Sequence, residues 1–326
     1  DEILDGRVKT LHPKIHAGIL NIRNNDSHIK DMKKNKFENI DLVIVNFYPF
    51  AETLKKTRNS HEIIENIDIG GPSLIRSAAK NYNDVTVISS IDLYPDLINQ
   101  LNENNGSTSL SFRKKMSQKA FSKTAYYDTL ISNYFNKDSN IKFPEKKIIY
   151  GNLIEKLRYG ENPHQESAIY SKNKNIGINK IHGKQLSYNN YNDIFSALNI
   201  SKSLPKNIGT VIVKHANPCG VSILKDKIDS YKSALACDPI SAFGGIVSCN
   251  FKVNKSLAIE LNKIFFEVII ADGFDKEALK LLKSKKNIRI IDAKNYSLNG
   301  TMRLSSWNDI ILIQSEDKKK ISIKDF

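Results

Sequence analysis

Two kinds of hydrophobic pattern alternate along this chain. Residues 41–50, DLVIVNFYPF, form an almost unbroken apolar run closed by Pro49, the pattern of a parallel strand covered on both faces. The run DVTVISS, starting at Asp84, reads the same way. Between them, IDIGGPSLIRSAAKN supplies a Gly-Gly turn, a proline suited to a first helical turn, and a short helix with Arg76 and Lys80 one turn apart. The order strand, loop, helix, strand predicts an α/β arrangement. Helical periodicity returns near LYPDLINQLNEN and again from about Phe112 to Phe135.

Beyond residue 135 the pattern changes. Residues 136–156 are polar and charged around a central Pro144, which predicts an inter-domain connection. The expected organisation is therefore a first domain over 1–135, a linker over 136–156 and a second domain over 157–326. In the second domain the strand candidates are SAIYS, TVIVKH, GGIVSC, EVIIA and NIRII. Helical patterns separate them around NDIFSALNISKSL, IDSYKSALA, KSLAIELNKIF and DKEALKLLKSK. This half also reads as α/β, and no internal repeat is present.

Composition narrows the possibilities. At 326 residues the chain has room for two domains, and 40% hydrophobic residues suffice for real cores. Mean hydropathy is −0.39, and no apolar run approaches the roughly 20 residues of a membrane-spanning helix. The opening DEILDGRVKT has neither the basic start nor the apolar stretch of a secretion signal, and the expectation is an internal piece of a longer polypeptide. The formal charge of +14 invites a nucleic-acid function. Yet only eight of the 49 basic residues are Arg, whereas phosphate clamps and base readers favour the guanidinium fork. Lys rises together with Asn and Ile, as a compositional bias rather than a patch. The positive field better suits small phosphorylated or polyglutamate substrates. Three cysteines, Cys219, Cys237 and Cys249, make no disulfide framework and fit a reducing cytoplasm.

Four clusters hold polar groups that a bland scaffold has little use for. Asp5 to Gly18 packs Arg7, Lys9, His12, Lys14 and His16 around a proline bend, which on its own is as consistent with a solvated basic loop. NFYPF, residues 46–50, puts Tyr48 at the carboxyl end of a strand, where open α/β sheets gather ligands, although a core tyrosine fits as well. Asp68 precedes Gly70-Gly71 and a helix carrying Lys80, an acid/base pair beside backbone N–H groups. The fourth is spread over LRYGENPHQ (157–165), VIVKHANPCG (211–220) and DPISAFGG (238–245). There Lys214 and His215 leave an apolar strand together, a placement costly for an ammonium without a partner or a task.

These motifs, in this order, resemble the bifunctional AICAR transformylase/IMP cyclohydrolase family of purine biosynthesis. The resemblance rests on GRVKTLHPKIHAGIL, NFYPF, IDIGGPSLIRSAAKN, RYGENPHQ, KHANPCG and DPISAFGG. It implies a truncated methylglyoxal-synthase-like parallel-sheet domain followed by an incomplete cytidine-deaminase-like α/β domain. The implied reactions are formyl transfer from 10-formyltetrahydrofolate to AICAR, then dehydrative closure of formyl-AICAR to IMP. His215 matches the family's general base and Lys214 the residue that stabilises the developing oxyanion. Arg158, Tyr159 and His164 match a nucleotide-holding loop, Asn189 a substrate contact, and Phe243 with Gly244 a loop of the same pocket. In the first domain Lys9 and Tyr48 match the carbonyl-polarising and proton-transfer residues. Asp68 and Lys80 match relay partners, and Arg7 with Thr10 the phosphate side. The family also implies folate as co-substrate, no catalytic metal, a homodimer when intact, a cytoplasmic location, and neither nucleic-acid nor membrane partners.

The sequence departs from the family pattern at Asp272, where a proline is usual, and at Asp309-Ile310, where a glycine pair precedes Leu-x-Gln. Because the family's polypeptide extends further on both sides, this chain alone is expected to catalyse neither reaction. Three other readings compete. A zinc deaminase needs His-x-Glu and Pro-Cys-x-x-Cys, but Pro218-Cys219 is followed by Gly220-Val221-Ser222, and Ala216-Asn217 follow His215. A non-catalytic Lys-rich RNA- or anion-binding module remains a rival of another class. A stand-alone methylglyoxal-synthase-like domain accounts for the first half only.

Overall fold

The computed structural model describes residues 4, 8, 10–298, 300 and 302–317. The chain divides into two compact units, Asp1–Tyr150 and Gly151–Phe326.

In the first unit, helices α1 (Pro13–Leu20) and α2 (Asp26–Asn35) precede strand β1 (Leu42–Ile44). Then come α3 (Phe50–Lys56), α4 (Ser60–Glu65), α5 (Gly70–Lys80), β2 (Thr86–Ile88), α6 (Tyr94–Glu103) and the long α7 (Leu110–Asp138). Strands β1 and β2 pair in parallel, with Val43 opposite Val87, and α5 makes the crossover as predicted. The run 41–50 yields only three residues of strand. Past Ile44 the Val45 N–H still reaches the Ile88 carbonyl at 3.0 Å, after which the Asn46 amide donates to the Tyr94 hydroxyl at 2.8 Å and Pro49 becomes the N-cap of α3. Ile75, Ala78 and Ala79 of α5 pack on Val85, Val87 and Ile88 and on Phe112, Met116 and Ala120 of α7, all buried.

In the second unit, β3 (Asn152–Lys156) and β4 (Ala168–Ser171) pair antiparallel. The main body follows as β5 (Asn179–His182), α8 (Tyr188–Ser203), β6 (Gly209–Lys214), β7 (Asn217–Ile223), α9 (Lys227–Cys237) and α10 (Pro239–Ala242). It continues through β8 (Ile246–Cys249), α11 (Lys255–Leu261), β9 (Val268–Ala271), α12 (Lys276–Lys283) and β10 (Arg289–Asp292). A hairpin of β11 (Met302–Trp307) and β12 (Ile310–Ser315) stands at the end. The six-stranded sheet has the order β5-β10-β9-β8-β6-β7. Strands β8, β9 and β10 run parallel, while β6 pairs antiparallel with both β8 and β7.

Strand alternation sorts this sheet's side chains into two cores. Val211, Val213, Ile246, Val268 and Ile270 meet Ile194, Ala197 and Leu198 of α8 on one face. Ile212, Val247, Cys249 and Ile269 meet α9, α11 and α12 on the other. The predicted strands TVIVKH, GGIVSC, EVIIA and NIRII are β6, β8, β9 and β10. The NPCG segment, whose Pro218 and Gly220 read in sequence as a loop, is part of strand β7 (Asn217–Ile223). It tolerates Pro218 because it is the edge of the sheet. Within the stretch expected to link two domains, α7 runs on to Asp138 and β3 occupies 152–156. The unusual Asp272 is matched by a partner: Lys202, near the end of α8, holds its carboxylate at 2.6 Å.

Candidate functional site

The second unit builds its polar centre at the end of β6. Lys214 and Asn217 face each other as the closing pair of the β6–β7 hairpin, so only His215 and Ala216 make the turn. Both have positive φ, 53° and 58°, as a two-residue type I′ turn demands. Neither is glycine, and each left-handed residue costs about 1–2 kcal/mol, so surrounding groups must hold the turn. One such group is Asp193, whose Oδ1 accepts from the Ala216 N–H at 2.7 Å. Burial pushes the Asp193 carboxyl up, and the Ala216 N–H, the His215 ring and the His215 N–H oppose that rise.

Lys214 is held beside this turn. Its ammonium donates to the Phe243 carbonyl at 2.9 Å, which leaves further N–H donors for a ligand. The loop 243–245 reaches it because Gly245 allows close approach; a Cβ there would stand 2.8 Å from the Val213 carbonyl oxygen. Gly244 takes φ +74°, and its N–H donates to the Phe265 carbonyl at 2.8 Å. Asp238 caps α10 through the Ser241 N–H at 2.9 Å. The Ser241 hydroxyl and N–H hold its carboxyl below the usual range, and the Lys214 charge adds to this. Phe243 and Phe265 form an exposed ring pair with centroids 5.8 Å apart.

Helix α8 links this centre to the 158–165 loop. Its Ser187–Asn190 capping box fixes the first turn. From there the Tyr188 N–H donates to the Tyr159 carbonyl at 3.3 Å, and the Asn189 amide to the Glu161 carbonyl at 3.2 Å. The Arg158 guanidinium lies 4.6 Å from the centroid of the Tyr159 ring and donates to its hydroxyl at 2.9 Å. The 158–165 loop, Asn189 and the 214–216 turn are thus tied to one rigid helix, and Lys214 ties the 243–245 loop to the same place. His164 lies in the tight Gly160–Gln165 loop, whose ends meet through the Gly160 N–H and Gln165 carbonyl at 2.7 Å; its own ring is exposed. Sequence reasoning missed Asp193, whose spacing of four from Asn189 put both on one helix face. It also missed Glu267, which accepts from the Asn190 amide at 2.8 Å and pairs with Arg289 at 3.5 Å.

In the first unit the centre is Asp68. One carboxylate oxygen accepts from the Gly71 N–H at 2.8 Å, the other from the Tyr48 N–H at 3.3 Å. Its own N–H donates to the buried Tyr127 hydroxyl at 2.7 Å. Tyr127 is in turn wedged against the Phe47 ring, with centroids 5.0 Å apart. Thr10 also reaches this helix start, since a Cβ on Gly70 would stand 2.6 Å from its hydroxyl. Tyr48, half exposed, stands next to Asp68. Lys80 is not brought there: it is exposed at the last position of α5, about 15 Å of helical rise from Gly70. Arg7 and Lys9 lie outside the described residues. His12 caps α1 by accepting from the Lys14 N–H at 3.1 Å, and the His16 ring meets the Ser77 hydroxyl at 3.1 Å.

Comparison with known proteins bears on the whole chain. The family model described as AICARFT/IMPCHase bienzyme matches residues 78–326, and that of an MGS-like domain matches residues 1–73. The "Bifunctional purine biosynthesis protein PurH" of Elusimicrobium minutum (strain Pei191) is 43% identical over 321 residues, 97% of this chain and 61% of that protein. The protein of the same name from Thermoanaerobacter sp. (strain X514) is 48% identical over 298 residues, 90% of this chain and 58% of its own. The solved structure of ForH is 32% identical, covering 42% of this chain and 70% of that one, with a TM-score of 0.35, too low to speak for the fold. The chain spans about six-tenths of the length of these curated relatives. An MGS-like domain therefore precedes an AICARFT/IMPCHase segment in an α/β protein, and the chain belongs to the AICARFT/IMPCHase bienzyme family.

Proposed function

We propose that this chain acts in purine nucleotide synthesis. In this reading residues 157–326 supply the Lys214–His215 part of an AICAR transformylase, residues 1–135 supply part of an IMP cyclohydrolase, and 136–156 connect them. The observation that carries it is the tie made by α8 between the Arg158–Tyr159 loop and the Lys214–His215 turn. A nucleotide needs such spacing, with a cationic grip at one end and acid/base groups at the other.

The 5-amino group of AICAR is conjugated to an electron-poor imidazole carboxamide and is a weak nucleophile. His215, exposed at the tip of its turn, takes the amine proton as the new bond forms, help that is generally worth about 10²- to 10⁴-fold. Lys214 aims its free N–H donors at the formyl oxygen, where negative charge gathers. Arg158, Tyr159 and His164 hold the nucleotide, with Asn189 beside them. Bound 10-formyltetrahydrofolate supplies the formyl group, and the exposed Phe243–Phe265 pair next to Lys214 fits a flat pterin. In the first unit, both groups that join to close the purine ring belong to one molecule, so positioning supplies much of the rate. Lys9 and Tyr48 polarise the carbonyl and, with Asp68, move the protons as water leaves, while Arg7 and Thr10 serve the phosphate. Among the described residues no helix is long and apolar enough to cross a membrane, and a cytoplasmic homodimer is the proposed working form.

Saturation-transfer NMR with AICAR tests the reading, because it detects binding even at millimolar affinity. Transfer to the imidazole and ribose protons is expected for the natural chain, and its loss in Arg158→Ala and Lys214→Ala. No transfer, or transfer unchanged in both variants, overturns the reading.

A further inference from the structure

The two consecutive left-handed residues at 215 and 216 call for an explanation beyond chain reversal. A hairpin free to choose its turn would place Asn-Gly or Gly-Gly here. A strained turn persists where its surroundings over-determine it, and such turns gather at functional sites. What holds this one is the Asp193 carboxylate, which receives the Ala216 N–H at 2.7 Å. Within the turn, the Asn217 side-chain amide adds a local bond by donating to the His215 carbonyl at 2.9 Å.

The position of Asp193 matters as much as its bond. It sits one helical turn after Asn189, on the face of α8 that also reaches the 158–165 loop. The helix itself cannot shift easily, because Ile194, Ala197 and Leu198 beside Asp193 are locked into the core. Charged groups around the carboxylate come from two elements: His215 from the hairpin and Glu267 from the segment before β9.

We propose that Asp193 is a positioning residue that sets the register between the Lys214–His215 turn and the Arg158–Tyr159 loop, through α8. It touches no reacting atom. It fixes the spacing across which one nucleotide must reach, and so acts through His215 and Lys214. This inference rests on the proposed nucleotide site of the second unit.

The test is a rescue experiment on the full 326-residue chain. Ala216 amide hydrogen exchange reports the turn, and saturation-transfer titration with AICAR reports the site. Asp193→Ala should unprotect the Ala216 amide and weaken AICAR binding about tenfold or more, since small misplacements of binding groups are expensive. Asp193→Asn, which keeps an acceptor oxygen, should retain most of both. The decisive variant is Asp193→Ala/Ala216→Gly, because glycine takes the positive φ without help. It should recover AICAR binding although the carboxylate is gone. If Asp193→Ala lowers the melting temperature while AICAR binds it as well as the natural chain below that temperature, the role is merely structural and the proposal falls. Recovery absent from the glycine double variant also overturns it, since registration by the turn would then not be what the carboxylate provides. Should Asp193→Ala fail to fold, the comparison moves to Asp193→Asn with and without Ala216→Gly, where equal AICAR affinity to the natural chain supports the proposal and an unrescued loss refutes it. Failure of the natural chain to bind AICAR refutes the nucleotide reading itself and this inference with it, an outcome distinct from failure of the variants alone.

Discussion

The two candidate centres of this chain are built on unlike foundations. In the second unit the Lys214–His215 turn leaves a strand whose Val211, Ile212 and Val213 are all fully buried, within a six-stranded sheet faced by helices on both sides. In the first, Tyr48 and Asp68 stand near a two-stranded sheet whose β1 exposes Leu42 by 39% and Ile44 by 45%. The first centre is therefore held by discrete bonds, from backbone N–H groups and the Tyr127 hydroxyl, whereas the second inherits its rigidity from a closed core. Where a sheet is wide, packing locks the helix whose single carboxylate holds a strained turn; where it is narrow, several individual hydrogen bonds must fix the site.

The widest separation between the two should appear on truncating their strands. Ile212→Ala should cost about 2–5 kcal/mol, as expected for a fully buried aliphatic side chain, while Ile44→Ala should stay below about 1 kcal/mol. Urea denaturation of each variant measures both, and equal losses would erase the contrast. Alkaline pH offers the next test. Burial pushes the Cys249 thiol up to about 12 and the Tyr191 hydroxyl up to about 12, with Glu155 adding to the latter. A raised folded pKa means that the native state keeps its proton longer. The associated stability is complete below the unfolded values and is lost as pH rises toward 12. Between about pH 9 and 11 the second unit should weaken steeply, and Cys249→Ala should flatten the slope by about one proton; an unchanged slope contradicts the assignment.

A smaller effect is expected at Lys202, which is 14% exposed as a side chain and paired with Asp272. Lys202→Met leaves that carboxylate alone in a half-buried site and should cost about 1–3 kcal/mol, read as a shift in the urea midpoint. Smallest is Asp68→Ala. It removes the acceptor of the Gly71 and Tyr48 N–H groups, and the loss of such a helix-start cap costs about 0.5–2 kcal/mol. Its main signature should be a changed environment at Tyr48, followed by its ring resonances, which a passive surface carboxylate would leave untouched.

Much of the second unit was legible because burial on both faces writes a continuous apolar run, as in IVSC and VIIA. The edge strand β7 was not, because Pro218 and Gly220 belong to loops as readily as to an unpaired strand edge. The hairpin β11–β12 escaped notice because its apolar residues, Trp307, Ile310 and Leu312, stay exposed and so carry no burial period. At the sites, Lys214 and Asp68 stand out in the sequence as polar groups at element ends, while Asn189 is picked out by the family resemblance alone. Asp193 was hidden inside an ordinary helical stretch, and its partner, a backbone N–H, has no letter in the sequence. Lys80 differs in another way: its proximity in sequence to Asp68 says nothing of the full helix α5 between them.

The most direct test of the central claim, that α8 joins the Arg158–Tyr159 loop and the Lys214–His215 turn into one nucleotide site, is a crystal structure of the chain with AICAR. A single nucleotide is expected, with its phosphate or carboxamide at Arg158 and its 5-amino group within hydrogen-bond reach of the His215 ring. AICAR bound with its amine turned away from His215, or at a place touching neither loop, would contradict it.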